Sequence, residues 1–338
     1  MNFPRCSCAW RLAGTKFFRK ASSKILDIYG ANMQNQDEAT KQLFIPDDGK
    51  IFVEVDQYGA EVLHVAYLCP PGNKLRELFD NNIKPHTYVA CHIFRDQWEK
   101  ENYSAKFFCS IPISNINKQP QWKDLNQYIK KSDAHNNRYY TGKKTVHSGN
   151  YREGEKTFQT VILTESGGKV FIPLNECRRF LYEYREVLVP EIPNYWWPRV
   201  EEQLRRDHVL YNLFGYPITF TGIRVDDKLI REATSCVPQS TVGVTTNIAQ
   251  SNIQQRIESD SNFRDVDVLN NKHDSILTQC DIGHEKEVAE MMREYIEMEF
   301  TSPFGEKYRM KSEAKAGFNW KDYDEETNPQ GLKELNIA

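Results

Sequence analysis

The sequence predicts an α+β fold, in which a small antiparallel sheet is combined with many helices. Two observations predict the sheet: an apolar run over Ile51–Val55 that ends at Asp56, and a hairpin that joins 267–272 to Ile276–Gln279. The third observation is the helical spacing of apolar residues through much of the chain between them. Because Asp56 and the hairpin are far apart in sequence, only the fold can bring them together.

The composition is that of a globular protein without a membrane span. The 338 residues suggest about two domains, or one bilobed unit, and are enough to bury a core. Charged residues make up 27% and aromatic residues 12%, which excludes a disordered chain. No apolar run of about 18 residues is present, and no apolar segment follows the basic N-terminus. We therefore expect neither a membrane protein nor a cleaved secretory protein.

Charge is unevenly distributed along the chain. The net charge of −3 argues against a uniformly basic surface, but residues 1–26 contain six basic side chains and no acidic one, while 281–300 is acid-rich. This asymmetry predicts a local basic face that meets an anion. The eight cysteines are scattered without a CxxC pair, so we expect reduced thiols rather than a structural zinc site.

The elements of the first half follow from spacing and from breaker residues. Residues 5–50 are rich in turns, and the strand over Ile51–Val55 follows them. A helix begins near Gly59 and is stopped by Pro70-Pro71-Gly72. Residues 96–136 are polar, so we expect an insertion or a loosely packed excursion there. Further helices are predicted over Lys74–Asn81, His86–Phe94, Arg138–Tyr151, Leu181–Val187 and Val200–Leu213.

The second half is predicted to complete the sheet. A strand over Ile218–Phe220 precedes a helical stretch over 228–258 that we expect to be interrupted near Pro238. His273-Asp274 forms the turn of the predicted hairpin. The last helix carries its apolar side chains on one face, and the tail after it is expected to be polar and loose from Lys311 onward. The residues of that apolar face are Val288, Met291, Met292, Tyr295 and Ile296.

Two aspartates at strand ends are candidates for metal chemistry. An aspartate after a strand is usually a turn or cap residue, so neither Asp56 nor Asp274 predicts a metal site by itself. Brought together by the fold, two carboxylates can bridge two divalent cations that activate a 3′-hydroxyl and stabilise a leaving pyrophosphate. Mg²⁺ suits this arrangement because it needs few protein ligands.

The residues around both aspartates resemble the family A DNA polymerases, of the Pol I-like, phage-type group. Residues 51–62 (IFVEVDQYGAEV) resemble motif A, which is an apolar strand, an aspartate, four residues and a glutamate; these are Asp56 and Glu61. Residues 272–275 (KHDS) resemble motif C, and the order of motifs holds over 5–300. The other residues that follow the family's order are Arg5-Cys6-Ser7, Gly14-Thr15, Phe18-Arg19, Ser22-Ser23, 32–35 (NMQN), Leu75, Phe79, 84–87 (KPHT), Phe94, Trp196-Trp197, Leu204, Phe214-Gly215, Arg231 and 238–241 (PQST).

The resemblance implies the right-hand architecture of polymerases, with an antiparallel-sheet palm, mainly helical fingers and a thumb that is largely missing. The implied division is palm over 1–66, fingers over 67–213 with an insertion near 96–136, palm again over 214–311 and a polar tail over 312–338. The implied activity is a template-directed DNA polymerase that adds dNTPs to the primer 3′-OH of a primer–template DNA. No proofreading domain is expected in this chain.

The resemblance also assigns roles to single residues. Asp56 and Asp274 would hold two Mg²⁺ ions, and Lys143 would contact the triphosphate and assist catalysis. Lys143, His147 and Tyr151 are spaced i, i+4 and i+8, which places them on one helical face. The residues implied for dNTP binding are Glu61, His86, Lys143, His147 and Tyr151. The residues implied for DNA binding are Arg19, Arg231, Gln239 and His273, together with a basic run over 5–24 that fits backbone contact.

The chain departs from the family pattern at several positions that could reduce activity or fidelity. Arg138 is one place away from the arginine that usually precedes the fingers lysine by four residues. The departures, each with the usual residue in parentheses, are Lys84 (Asp), Tyr139 (Arg), His147 (Phe or Tyr), Arg152 (Gly), Tyr216 (Arg) and Ser275 (Glu).

Three alternatives remain at this level. A relative of the single-subunit RNA polymerases would share the palm, and Glu61 favours DNA because it occupies the space of a ribose 2′-OH. A catalytically impaired DNA-binding subunit of a split polymerase is the second. The third alternative concerns how much of a polymerase this chain represents. It would be a fragment, half of a split enzyme, or a minimal enzyme whose thumb or exonuclease comes from a separate chain. We expect a phage or viral replication enzyme in the cytoplasm of a bacterium or an infected host cell.

Overall fold

The computed structural model describes residues 5–11, 14–25, 30–131, 138–220 and 224–337, and the fold is α+β as predicted. The strands in chain order are β1 (Ala9–Arg11), β2 (Ala21–Ser23), β3 (Lys50–Gln57), β4 (Val209–Tyr211), β5 (Pro217–Thr219), β6 (Asp267–Lys272), β7 (Ser275–Asp281), β8 (Glu299–Thr301), β9 (Lys307–Arg309), β10 (Ser312–Gly317) and β11 (Lys333–Glu334).

Helices make up most of the remaining regular structure. They are α1 (Glu38–Lys41), α2 (Ala60–Leu68), α3 (Lys74–Asp80), α4 (Pro85–Ile93), α5 (Arg95–Lys100), α6 (Ala105–Ser110), α7 (Ile113–Ile116), α8 (Pro120–Lys131), α9 (Arg138–Asn150), α10 (Glu155–Glu165), α11 (Leu174–Tyr182), α12 (Trp197–Asp207), α13 (Asp227–Ser259) and α14 (Glu285–Ile296). Short 3₁₀ turns cover Met33–Asn35 and Ser261–Phe263, and π-helical turns cover Glu183–Leu188 and Ile192–Trp196. No helix in these ranges is long and apolar enough to cross a lipid bilayer.

The central sheet has five antiparallel strands in the order β11-β10-β3-β7-β6. Side chains alternate across β3, as strand geometry requires. Ile51, Val53 and Val55 pack against α13 and α14 on the back face. Glu54 and Asp56 therefore point to the opposite, front face. This alternation explains why an apolar strand can present carboxylates at the surface of the sheet.

A second, larger core lies in the helical part of the chain. Its fully buried side chains include Trp98, Phe108, Phe180 and Tyr184. Within it, α4 and α9 form the most extensive helix–helix contact. Gly142 makes this approach possible, because a Cβ there would lie 2.7 Å from both the Ala90 Cβ and the His86 carbonyl oxygen.

Two regions that the sequence suggested to be loose are well packed. Residues 96–131 form α5 to α8 and bury Trp98, Ile116, Trp122 and Leu125 in the larger core. The expected loose packing was therefore wrong for these residues, while the insertion near 96–136 stays a prediction and 132–137 lie outside the described residues. Polar residues dominate this segment by number, but most of its apolar residues face inward, with Phe107 and Tyr128 as exposed exceptions.

The expected polar tail is also corrected by the structure. Residues Ser312–Gly317 form β10, which pairs with β3 along its length. Trp320 and Leu332 then pack on Phe52 and Leu277 of the front face. The region after Lys311 is thus part of the central sheet and not a loose extension.

Several element boundaries differ from the predictions, and the helix predicted over Leu181–Val187 is the end of α11 followed by a π-helical turn over Glu183–Leu188. Helix α13 runs through Pro238 without interruption, although a proline removes one intrahelical hydrogen bond. The helix predicted over Val200–Leu213 ends at Asp207, since His208 adopts a left-handed conformation (φ 52°), and β4 follows. The motif A strand continues through Gln57, so Asp56 lies within β3 and not after its end.

Candidate active site

Asp56 and Asp274 come together at one end of the central sheet. Asp56 on β3 is paired with Ser275 on β7, and Asp274 immediately precedes Ser275 in the hairpin turn. The Gln57 backbone N–H donates to the Asp274 carbonyl at 3.0 Å, which fixes the turn against β3. His273 adopts φ 54°, the left-handed conformation that lets the chain reverse within two residues. The predicted juxtaposition of the two aspartates is therefore present.

Asp56 is a largely buried carboxylate whose charged neighbours are mostly carboxylates, with Lys315 acting against them. Its Oδ1 atom is buried and has no hydrogen-bond partner. Burial, followed by the charges of Asp274 and Glu54, raises its pKa well above the usual range. The pKa of Asp274 is raised as well, because neighbouring protein atoms exclude water from its carboxylate and because Glu61 adds a negative charge nearby. Part of the Asp274 side chain still faces solvent. Such a pair gains stability from a bound cation.

A third carboxylate, which the sequence analysis missed, lies beside Asp56. Glu313 on β10 is directly opposite Asp56 in the antiparallel register. Lys84 Nζ contacts its Oε1 atom at 3.2 Å, so the lysine that replaces the family's aspartate is paired with this glutamate. The alternation of Ala314 and Ala316 with polar neighbours was the period-2 signal that could have revealed β10.

Ser275, where the family usually has a glutamate, has a structural partner. Its hydroxyl donates to Glu54 Oε1 at 3.1 Å, and the Trp320 indole N–H donates to the same oxygen at 3.2 Å. Lys315 lies across from Glu54 on β10 and pairs with Asp322. The carboxylate of Glu54 is thus held by the front-face residues rather than aimed at Asp274.

Glu61 is the centre of a cluster that joins the end of the central sheet to the helical region. Arg19 Nη2 donates to its Oε1 atom at 2.5 Å, the Tyr151 hydroxyl donates to Oε2, and His147 Nδ1 lies 3.9 Å from Oε2. Burial acts to raise the pKa of Glu61, but Arg19, His147 and Tyr151 outweigh it and lower the pKa overall. Glu61 is therefore an ionised, fixed carboxylate at the start of α2.

The predicted face of α9 is assembled as the spacing indicated. Lys143 and His147 are exposed, whereas Tyr151, just beyond the end of α9, is buried against the Glu61 cluster. His86 on α4 faces them, and burial together with Lys143, Lys84 and His147 lowers its pKa to about 3. Lys143 makes no ion pair or hydrogen bond with another described residue. A neutral imidazole and an unpaired lysine thus lie together beside His147, which approaches the Glu61 carboxylate.

Of the four residues predicted to contact DNA, Arg19 and His273 lie close to Glu61, whereas Arg231 and Gln239 lie on α13. Arg19 packs against α13, where a Cβ at Gly243 would lie 2.9 Å from the Arg19 Cγ. Gln239 is one helical turn before Gly243, and Arg231 is exposed two turns before Gln239, on the same face. His273 lies beside Arg19, and its Nδ1 atom is buried without a partner. Burial and then Arg19 lower the pKa of His273.

Two departures from the family pattern have a clear structural consequence. Arg138 Nη2 lies 2.6 Å from Glu101 Oε1, and its guanidinium carbon lies 4.2 Å from the centroid of the Trp98 ring. The Arg138 side chain therefore packs within the helical region. Tyr139 faces His86 instead, with ring centroids 6.3 Å apart. Arg152 adopts φ 59°, the conformation for which the family's glycine is suited, and pairs with Glu201. Neither arginine reaches the aspartates.

The aspartate pair fits a hard divalent cation that is only partly coordinated by protein. Within the described ranges, no group of three or more His, Cys, Asp or Glu side chains could by itself hold a metal ion. Mg²⁺ prefers oxygen ligands, and the Asp56 carboxylate offers a buried oxygen that has no partner. The raised pKa values of Asp56 and Asp274 show that a positive charge between them would be stabilising. The remaining ligands would have to come from phosphates and water.

Comparison with known proteins shows the fold. No model of a protein family matches the chain, and no curated protein is similar to it in sequence. A solved structure of the POL domain of Pol1 from M. smegmatis, in complex with DNA primer-template and dNTP, is similar with a TM-score of 0.62 and 16% identity. The match covers 93% of this chain and 48% of that one, so the chain spans about half its length. The chain therefore has the fold of a DNA polymerase domain.

Proposed function

We propose that the chain is a DNA-directed DNA polymerase that extends a primer 3′-OH with dNTPs on a DNA template. The observation that carries this proposal is the partnerless buried oxygen of Asp56 beside Asp274, within a fold like that of a DNA polymerase domain. In the reaction the 3′-hydroxyl gives up its proton to solvent and its oxygen attacks the α-phosphorus; a new P–O bond forms, the bond between the α-phosphorus and the oxygen bridging to the β-phosphate breaks, and pyrophosphate leaves. Asp56 and Asp274 are proposed to hold two Mg²⁺ ions.

The charge of each group suggests its role in the proposed reaction. The ions, when bound, would supply activation of the 3′-hydroxyl and neutralisation of the pyrophosphate. Lys143 is the protein's own cation for the triphosphate, since it is exposed and unpaired within the described residues. His86 is neutral at physiological pH, so it can accept or donate a hydrogen bond without adding charge. Glu313 supplies a third carboxylate next to Asp56, and Lys84 holds it in position.

Selection of a deoxyribonucleotide is proposed to depend on Glu61. The Glu61 carboxylate is held from two sides, by Arg19 and by Tyr151, so it cannot turn away from an incoming sugar. A ribose 2′-hydroxyl that displaced either partner would leave a buried polar group unpaired. This fixed carboxylate favours DNA over RNA synthesis. Magnesium dependence, the phage type and a separate thumb chain are further parts of the proposal that depend on the family resemblance.

Primer extension combined with a binding measurement tests the proposal. The full chain is incubated with a labelled primer–template, Mg²⁺ and dNTPs, and the affinity for the same DNA is measured by fluorescence anisotropy. We expect templated extension that stops when EDTA is added. Tight binding without extension would instead identify a DNA-binding subunit, and extension with rNTPs alone would identify an RNA polymerase.

A further inference from the structure

A cleft of about 460 Å³ lies between the end of the central sheet and the helical region. One wall is formed by Tyr58 and by 82–84 of the α3–α4 connection. The other wall is the segment 117–126, which connects α7 to α8 and includes the first turns of α8. The side-chain amide of Asn117 donates to the Asn81 carbonyl, so the two walls are tied to each other.

The cleft begins next to the aspartate pair. Lys84 lines it, and Lys84 Nζ lies 3.2 Å from Glu313 Oε1 and 4.7 Å from the centroid of the Tyr58 ring. Glu313 is directly opposite Asp56 in the register of β10 and β3, and residues paired in this way have Cα atoms about 4.5–5.5 Å apart. The Lys84–Glu313 ion pair therefore connects the cleft to Asp56, where the proposed reaction would release pyrophosphate.

The lining of the cleft carries positive charge. Lys84, Lys118 and Lys123 line it, and no Asp or Glu side chain is among the lining residues that the structure describes. Lys118 and Lys123 are both exposed. Lys118 donates to the side-chain oxygen of Asn115 at 3.0 Å, and Lys123 has no hydrogen bond or ion pair with another described residue. Because neither has a described carboxylate partner, both ammonium groups can bind an anion in the cleft.

The uncharged part of the lining also favours phosphate over a nucleic-acid base. Lys311 Nζ donates to Asn82 Oδ1 at 2.7 Å, so the NH₂ group of the Asn82 amide remains free to donate into the cleft. Gln119 and Asn126 add further amide groups to the lining. Trp122 is only 4% exposed, so it leaves little surface on which a base could stack. Ammonium and amide N–H donors without an open aromatic face fit phosphate oxygens.

We propose that this cleft is an oligophosphate-binding site that receives the pyrophosphate released beside Asp56 and Asp274. Lys118 and Lys123 bind the anion after it passes the Lys84–Glu313 pair, and the amide N–H groups donate to its remaining oxygens. The triphosphate of an incoming dNTP has the same chemistry, so the experiment compares the two ligands. The assignment of the ligand as a leaving pyrophosphate rests on the proposed polymerase function, whereas the binding site itself does not.

Binding of pyrophosphate alone tests the site without any polymerase activity. The full chain is titrated calorimetrically with sodium pyrophosphate at neutral pH and low salt, with EDTA present to remove the cations that would hold the anion at the aspartates. In the double variant Lys118→Gln, Lys123→Gln the dissociation constant should rise about threefold to tenfold, because two exposed charge contacts are lost. The matched control is Lys156→Gln, Lys169→Gln, which removes two other exposed lysines without a described carboxylate partner and should leave the constant unchanged.

Lysine modification locates the ligand in the wild-type chain. Lysines are acetylated with a water-soluble N-hydroxysuccinimide ester, with and without pyrophosphate, and the rate at each site is measured by peptide mass spectrometry. We expect pyrophosphate to slow acetylation of Lys118 and Lys123 and to leave Lys156 and Lys169 unaffected. Because this measurement needs no substitution, it decides the question even where a variant fails to fold.

The same protection measurement with dATP and with a short oligodeoxythymidylate identifies the source of the phosphates. Protection of Lys118 and Lys123 by pyrophosphate at least as strong as that by dATP supports a product site. Stronger protection by dATP would overturn the product assignment in favour of an incoming nucleotide. Protection by the oligonucleotide but not by pyrophosphate, or protection of Lys143 alone, would overturn the site. Primer extension is scored separately: cleft binding without extension rejects only the polymerase function, and extension without cleft binding rejects only this site.

Discussion

Glu313 lies directly opposite Asp56 on neighbouring antiparallel strands, and Lys84 Nζ holds its carboxylate at 3.2 Å. The negative charge of Glu313 contributes to the raised pKa of Asp56. The Glu313 carboxylate therefore adds negative charge at the end of the sheet, which should strengthen the binding of a cation there. Ser275 provides no charge there, so we propose that Glu313 supplies the additional carboxylate next to Asp56.

Replacement of Glu313 by glutamine should weaken cation binding without disrupting β10. The amide keeps the shape of the side chain but removes the charge beside Asp56. We expect the Mg²⁺ concentration for half-maximal primer extension to rise about threefold to tenfold, which corresponds to about 0.6–1.4 kcal/mol. Glu334→Gln, on exposed β11 of the same sheet, is the matched control. An unchanged Mg²⁺ requirement in Glu313→Gln would exclude this role.

The unpaired charge of Asp56 should be visible in the pH dependence of stability. In the absence of divalent ions, the folded chain holds the Asp56 proton more tightly than the unfolded chain does. Stability therefore falls as pH rises from about 4, the ordinary aspartate value, through the raised folded pKa. Asp56→Asn should raise the melting temperature by a few degrees at pH 8 and by less at pH 5.

Mg²⁺ should reverse the same effect. It should raise the melting temperature of the wild type at pH 8 and leave that of Asp56→Asn unchanged. Asp281→Asn, at the exposed end of β7, serves as the control that keeps the metal response. A wild-type chain whose melting temperature ignores Mg²⁺ with and without DNA and dNTP would argue against a cation at Asp56.

Loss of the Glu61 carboxylate should relax the choice of sugar. In Glu61→Ala the space next to the nucleotide opens, so we expect the preference for dNTPs over rNTPs to fall by at least about tenfold, or ~1.4 kcal/mol. The variant should also lose stability, since Arg19 is left without its partner. Tyr151→Phe removes one hydrogen bond but keeps the carboxylate, and it should retain most of the discrimination. Equal discrimination in Glu61→Ala and wild type would remove Glu61 from this role.

The close contact of α4 and α9 should be sensitive to a single methyl group. Gly142→Ala places a Cβ 2.7 Å from backbone and side-chain atoms of α4, which costs about 1–3 kcal/mol and separates His86 from Lys143. We expect a higher KM for dNTPs together with a lower midpoint of urea unfolding. Gly154→Ala, at a site with nothing within 4 Å of the new Cβ and φ −77°, should cost less than about 1 kcal/mol. Similar behaviour of both variants would contradict the account of this contact.

Elements of the candidate site could be predicted from the sequence where the hydrophobic pattern and the residue chemistry indicate the same structure. The apolar strand before Asp56 and the hairpin around Asp274 have period-2 signals, and the sheet joins them as expected. The spacing of Lys143, His147 and Tyr151 fixed their common face because helical geometry is regular. These residues could therefore be placed before the fold was known.

The rest could not be predicted because it depends on contacts between distant segments. Nothing local indicates that Arg19 pairs with Glu61, 42 residues away. Strand β10 has only two small apolar residues, Ala314 and Ala316, so its signal is weak beside its charged neighbours. Helix α13 keeps Pro238 because tertiary packing on both sides offsets the lost hydrogen bond.

The most direct test of the central claim is the rate of single-nucleotide incorporation by the wild type, Asp56→Asn and Asp274→Asn at saturating Mg²⁺ and dNTP. Both aspartates are proposed to hold the same pair of cations, so each variant should lose at least about a thousandfold in rate, or ~4 kcal/mol, while primer–template affinity stays near that of the wild type. Incorporation by either variant at the wild-type rate would contradict the claim that these two residues carry the reaction.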